Sequence, residues 1–243
     1  MTFRPLGTLL LATFRTLAAS AGLLLLTLAA PAPAPADDGI VVLTPKRLPV
    51  PLPTKLTVRD FGPDREPICL PVYLNESTGS EFSLPVGAGV ELADDLHTSL
   101  DQRETLCAFD LGYFAPGPSS VNARVTFYDM IPGDGAPFAV MAGPYDVLGL
   151  PPGLNAFRIE VPPGGEVDGD FWMGVAFSSG DAGLLAFDPP TLGHSHDIAW
   201  LTPPGAPATF GGVPPASAFL GVHSSPSTPA RPSSWGTVKV LYR

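Results

Sequence analysis

The sequence predicts an all-β chain: an antiparallel β-sandwich of jelly-roll-like type behind an N-terminal signal peptide. Three observations predict it. Apolar residues alternate with period two and not 3.6. Pro and Gly number 31 and 26 of 243 residues and cluster between the apolar runs, as turn punctuation does. The two cysteines follow an export signal and so read as a disulfide, the state an oxidising compartment favours.

Residues 1–36 form the predicted signal peptide. Arg4 and Arg15 make a positive start with no Asp or Glu, and an apolar run from Thr16 to Ala30 follows, centred on Leu23–Leu26. Ala34-Pro35-Ala36 supplies the small residues a signal peptidase needs, and cleavage after Ala36 exposes Asp37-Asp38. The alternative, an uncleaved anchor, meets a run that falls short of the ~20 residues a bilayer demands. No Cys follows the cleavage region, which argues against a lipid-modified terminus. Losing Arg4 and Arg15 leaves 11 basic against 23 acidic residues over 37–243, a net charge of −12. Such a chain, with no Lys/Arg cluster, is a poor partner for nucleic acid or anionic lipid. No second segment is long and apolar enough to insert in a membrane.

Residues 37–80 read as an extended segment with edge strands. GIVVLTP (39–45) and KLTVRDF (55–61) are expected to pair at sheet edges, on either side of a Pro-spaced stretch. Within this part lies Cys69, expected to bond Cys107. Residues 81–243 read as the β-sandwich domain. In ARVTFYDM (123–130), Val125 and Phe127 share one face while Arg124, Thr126 and Tyr128 share the other. AFRIEV (156–161) sets Phe157, Ile159 and Val161 against Arg158 and Glu160. DFWMGVAF (170–177) and GLLAF (183–187) are dense enough for strands buried on both sides. APGPSS, IPGDGAP, LPPGLN, VPPGGEVDG, TPPGAPAT and GGVPPAS break the runs.

GVELADDLH (89–97), FDLGYFAPG (109–117), VTFYD (125–129), DFWMGVAFSS (170–179), AGLLAFDPPTLGHSHD (182–197) and FGGVPPASAF (210–219) match, in order and spacing, a set of bacterial exported β-sandwich proteins that often carry C-terminal sorting or anchor tails. The chain resembles that set over about two thirds of the part after the signal. The resemblance implies export and a sandwich fold, and it implies no established activity. Here WGTVKVLYR (235–243) stands where the tail would be and reads as one more strand, so covalent attachment to a cell surface is not expected.

VELADDLH (90–97) carries the most chemistry. Alternation puts Val90, Leu92, Asp94 and Leu96 on one face and Glu91, Ala93, Asp95 and His97 on the other. With the first face inward, Asp94 is a buried carboxylate at a strand end that must be satisfied. Backbone N–H groups of a neighbouring turn are the expected partners; a structural Ca²⁺ is the alternative. Asp95 and His97 are expected to face solvent, so the two aspartates cannot work as facing carboxylates. His194 and His196 of GHSHD stand at i, i+2 and suit Zn²⁺ or Cu²⁺, but His97 and His223 are far along the chain, and the segment reads as a solvated loop. Asp168-Gly169-Asp170 resembles a fragment of a Ca²⁺ loop without its remaining ligands. There is no G-x-S-x-G elbow and no Gly-rich phosphate loop. The sequon at Asn75 reads as accidental. Among the aromatics, Trp172 reads as core and Trp200 as the rim residue to contact a ligand.

The sequence thus predicts a secreted protein, extracellular or periplasmic, that needs no cofactor, with a structural Ca²⁺ at Asp94 as the alternative. It is a non-catalytic module that binds glycan or matrix, or serves as a surface structural component. The alternative is a secreted hydrolase on a jelly-roll scaffold.

Overall fold

The architecture is taken from a computed structural model, which describes residues 40–49, 56–61, 69–76, 82–100, 102–131, 135–162, 164–187, 190–196, 198–210 and 217–225. The signal peptide reading, Asp188, Asp197, Trp235 and the predicted C-terminal strand lie outside the described residues.

Every regular element among the described residues is a strand. In chain order they are β1 (Val41–Val42), β2 (Lys46–Arg47), β3 (Arg59–Phe61), β4 (Leu70–Leu74), β5 (Phe82–Pro85), β6 (Glu91–His97), β7 (Glu104–Ala115), β8 (Val121–Met130), β9 (Pro137–Leu150) and β10 (Gly153–Glu160). Then come β11 (Glu166–Val167), β12 (Asp170–Phe177), β13 (Gly183–Phe187), β14 (Ala199–Thr202), β15 (Ala206–Thr209), β16 (Ser217–Ala218) and β17 (Leu220–Ser225).

They form two sheets. The first runs β1-β15-β14-β6-β12-β8-β9; the second runs β2-β5-β13-β7-β10-β3, with β11, β16, β17 and β4 joined to it. Pairing is antiparallel except where β1 meets β15 and β3 meets β10. Those two are the edge strands expected from GIVVLTP and KLTVRDF.

One core serves both sheets. Leu92, Leu96, Val125, Phe127, Phe171, Met173 and Val175 of the first sheet join Phe109, Leu111, Tyr113, Phe157 and Ile159 of the second. Rings meet between the sheets, with Phe109 and Phe127 centroids 5.9 Å apart and Tyr113 and Phe177 also 5.9 Å apart. A smaller cluster of Leu48, Ala156, Leu185 and Phe219 takes in Leu56 and Val58 from the chain before β3. Cys69 and Cys107 are bonded, with Cα atoms 6.2 Å apart. This ties the chain just before β4 to β7 across 38 residues, worth about 3–4 kcal/mol by loop-closure entropy.

Candidate functional site: one face of the seven-stranded sheet

Alternation in β6 fixes the site. Leu92 and Leu96 enter the core, so Glu91, Ala93, Asp95 and His97 line the opposite face. Neighbouring strands extend that face in register. One row across five strands is Thr202, Glu91, Ala176, Arg124 and Asp146. Two residues along lie Trp200, Ala93, Gly174 and Thr126; next come Asp95, Trp172 and Tyr128. At the end His97 pairs with Asp170 on one side and His194 on the other. Glu91 and His97 are therefore about 20 Å apart on one face, at 3.4 Å per residue.

The Glu91 end is an open groove of about 620 Å³, lined by Glu91, Arg124, Tyr128, Asp146, Leu148 and Thr202 among others. Gly174 makes its floor possible: a Cβ there would stand 2.5 Å from the Glu91 carboxyl carbon. Over that gap Glu91 crosses β12 and accepts from the Tyr128 hydroxyl at 2.9 Å. Burial holds the Glu91 carboxyl above the usual range. Burial, then the hydrogen bond to Glu91 and its charge, pushes Tyr128 up to about 12. Arg124 donates from Nε to Asp146 Oδ1 at 2.9 Å. Trp200 is half-buried, and the groove reaches its strand two residues on, at Thr202.

The His97 end is polar and tightly bonded. His97 and His194 exchange both backbone hydrogen bonds at 2.9 Å. The next pairing on the same strands is Ala199 with Asp94, so Ser195 and His196 stand outside the ladder as a bulge. Gly193 permits the approach: its φ is +78°, and a Cβ would lie 2.5 Å from the His97 carbonyl oxygen. The bulge lays Ser195 and His196 onto β6. Asp95 Oδ1 accepts from the Ser195 hydroxyl and the His196 amide, both at 3.1 Å. Asp95 Oδ2 lies 2.9 Å from His97 Nε2 and 2.7 Å from His196 Nδ1. His97 Nδ1 lies 2.8 Å from Asp170 Oδ1. The Asp95 hydrogen bond, opposed by burial and helped by Asp170, holds the His97 imidazolium above its ordinary pKa.

Asp94 faces inward, as expected. Its Oδ2 accepts from the Ala218 amide at 2.8 Å and its Oδ1 from the Ser195 hydroxyl at 3.1 Å. Burial and the neighbouring Asp95 charge push its pKa well above the usual value. It lies within the strand, not at its end. Three further expectations need correction. His97, expected to face solvent, keeps only 12 % of its side chain exposed because the His194 and His196 rings pack against it. Asp95 is on the outward face but is fully buried, because the 195–196 bulge covers it while Trp172 flanks it on β12. GHSHD is not simply a solvated loop, since His194 is bonded to β6 and His196 to Asp95. Of the other acidic candidates, Asp168 pairs with Arg103, while Asp170 joins the Asp95 cluster through His97. Trp172 is buried, as expected. Asn75 is buried and donates to the Ala218 carbonyl at 2.9 Å, which fits a structural residue and not a glycan acceptor.

A second polar constellation escaped the sequence reading. Asp110 on β7 is fully buried, with Arg158 Nε and Nη2 on its two oxygens at 2.8 and 2.9 Å and His223 Nε2 at 2.6 Å from Oδ2. Burial raises the Asp110 pKa, but the His223 and Arg158 hydrogen bonds outweigh it and hold the carboxyl below its ordinary value. Each partner sits on a different strand, so only the register reveals the set.

The chain matches no family model, no curated protein and no solved structure.

Proposed function

We propose that the chain is an exported, non-catalytic β-sandwich module of jelly-roll type, and that it binds a hydroxyl-rich ligand of the glycan class in the open groove at the Glu91 end of the outward face of its seven-stranded sheet. The observation that carries this is the groove over the row Thr202–Glu91–Ala176–Arg124–Asp146. Its polar groups come as two preorganised pairs, Glu91 with Tyr128 and Arg124 with Asp146. Such pairs offer adjacent donors and acceptors to vicinal hydroxyls. Leu148 and Pro203 supply apolar surface for the C–H face of a sugar ring. Both groove carboxylates are held by partners in the sheet, which favours binding over acid/base work. Export rests on the positive, apolar N-terminus and on the Cys69–Cys107 bond.

Glycan-array screening followed by calorimetry with the best oligosaccharide tests the proposal. Arg124→Ala, an exposed change, should weaken binding at least about tenfold, the loss of one charge-assisted hydrogen bond, without altering the melting temperature. Unchanged affinity in Arg124→Ala would remove the groove from the account. Cleavage of the oligosaccharide would favour the hydrolase reading.

A further inference from the structure

We propose that His97, His194 and His196, with Asp95 Oδ2, bind one divalent transition-metal ion of the Zn²⁺ or Cu²⁺ class. This site lies at the far end of the face from the groove and does not depend on the glycan reading.

The ligand set arises from two i, i+2 pairs. Asp95 and His97 share a face of β6; His194 and His196 lie on the segment beside it. The reciprocal His97–His194 backbone bonds hold the two pairs level. One nitrogen from each of the three imidazoles lies within 4.8 Å of the others. A tetrahedral ion with bonds of about 2.0–2.1 Å sets its donors about 3.4 Å apart. The His97 and His194 rings stack at 4.5 Å with planes 9° apart, so His194 has to turn for its lone pair to meet the ion, and the 2.9 and 2.7 Å contacts of Asp95 Oδ2 have to open; His194 and His196 are exposed on the bulge, where their side chains have room to rotate.

A second observation points to a cation. Asp95 is a fully buried carboxylate whose Oδ2 is directed between two ring nitrogens, His97 Nε2 and His196 Nδ1. His97 in turn has a carboxylate oxygen on each ring nitrogen, Asp95 on one and Asp170 on the other. A neutral imidazole donates to only one of them, an imidazolium to both. Two carboxylates on one ring call for positive charge there, and a metal ion shared by His97 Nε2, His196 Nδ1 and Asp95 Oδ2 supplies it in place of the second proton, leaving the Nδ1 proton to Asp170. The carboxylate–imidazole arrangement is the one metal sites use to orient their histidines. Three nitrogens and one oxygen suit Zn²⁺ or Cu²⁺; Ca²⁺ takes six to eight oxygens. His196 keeps more than half of its side chain exposed, at 58 %, so the ion has a path in.

The test is calorimetric titration of chelator-treated protein with Zn²⁺, in parallel with Ca²⁺. The expected result is one Zn²⁺ per chain with a Kd tighter than about 10 µM, and no Ca²⁺ heat at the same concentrations. His194→Ala and His196→Ala should each weaken Zn²⁺ at least about 100-fold. Both positions are exposed, and melting in chelator checks that each variant is folded. Co²⁺ in place of Zn²⁺ should show the visible bands of four-coordinate geometry in the wild type, displaced by added Zn²⁺. Wild-type binding weaker than about 10 µM, or equal affinity in folded His194→Ala and His196→Ala, would overturn the proposal.

Discussion

Replacing Asp95 by Ala measures how far a carboxylate on the outward face has become interior. The carboxylate is fully buried and is approached by the Ser195 hydroxyl, the His196 amide, His196 Nδ1 and His97 Nε2. Without it, Ser195 keeps Asp94 and the His196 carbonyl as acceptors. His196 Nδ1 turns to water, its side chain being 58 % exposed. The His196 amide and His97 Nε2 are the groups left poorly satisfied, His97 having only 12 % of its side chain exposed. Orphaning a buried polar group costs about 1–3 kcal/mol. Relief of the Asp95 charge that helps raise the Asp94 pKa offsets part of that cost. The net loss expected is about 2 kcal/mol, or about 4–8 °C for a domain of this size. Urea unfolding followed by tryptophan fluorescence, with chelator present, reads it directly. A loss below about 0.5 kcal/mol, the usual cost at an exposed position, would refute the burial of Asp95 beneath the 195–196 bulge.

Asp94→Asn keeps an acceptor for the Ala218 amide and removes a charge whose pKa is raised in the fold. A raised carboxyl pKa costs stability as pH rises above the ordinary value near 3.9, so Asp94→Asn should equal or exceed wild-type stability at pH 7 and lose that advantage below about pH 4. Asp110 works in the opposite sense: its depressed pKa stabilises the fold above about pH 3.9, and that contribution fades as pH falls through the depressed value. Asp110→Asn should cost roughly 3–5 kcal/mol at pH 7 and less in acid, read from unfolding curves at several pH values. Thiol titration of unfolded, unreduced protein should find no free thiol, and reduction should cost about 3–4 kcal/mol; two free thiols would contradict the Cys69–Cys107 bond. Protein recovered from its native host should begin at Asp37 on N-terminal sequencing, and a chain beginning at Met1 would contradict export with cleavage.

Periodicity made the faces legible. Period two in ARVTFYDM separates Val125 and Phe127, both in the core, from Arg124 and Tyr128, both in the groove. The same rule assigned every residue of β6 to its side, Asp94 inward and Glu91, Asp95 and His97 outward. Alternation cannot say what lies on top of a face. Asp95 is buried by a bulge a hundred residues later, and nothing in ELADDLH encodes it. The third histidine was hidden for the same reason. His97 and His194 are neighbours only through the pairing of β6 with the chain leading into β14. Asp110, Arg158 and His223 needed the registers of β7 with β10 and β17. Local pattern fixes orientation, while register brings distant side chains together, and register is set by the whole sheet.

The central claim is that the groove at the Glu91 end of the seven-stranded sheet is where ligand binds. Amide chemical-shift mapping by NMR, with the oligosaccharide selected on the array, tests it most directly. Perturbations should concentrate at Glu91, Arg124, Tyr128, Asp146 and Thr202 and fade toward the ten-stranded sheet. Shifts concentrated around Phe219, Leu185 and Leu154, in the small cluster on the other sheet, would contradict it.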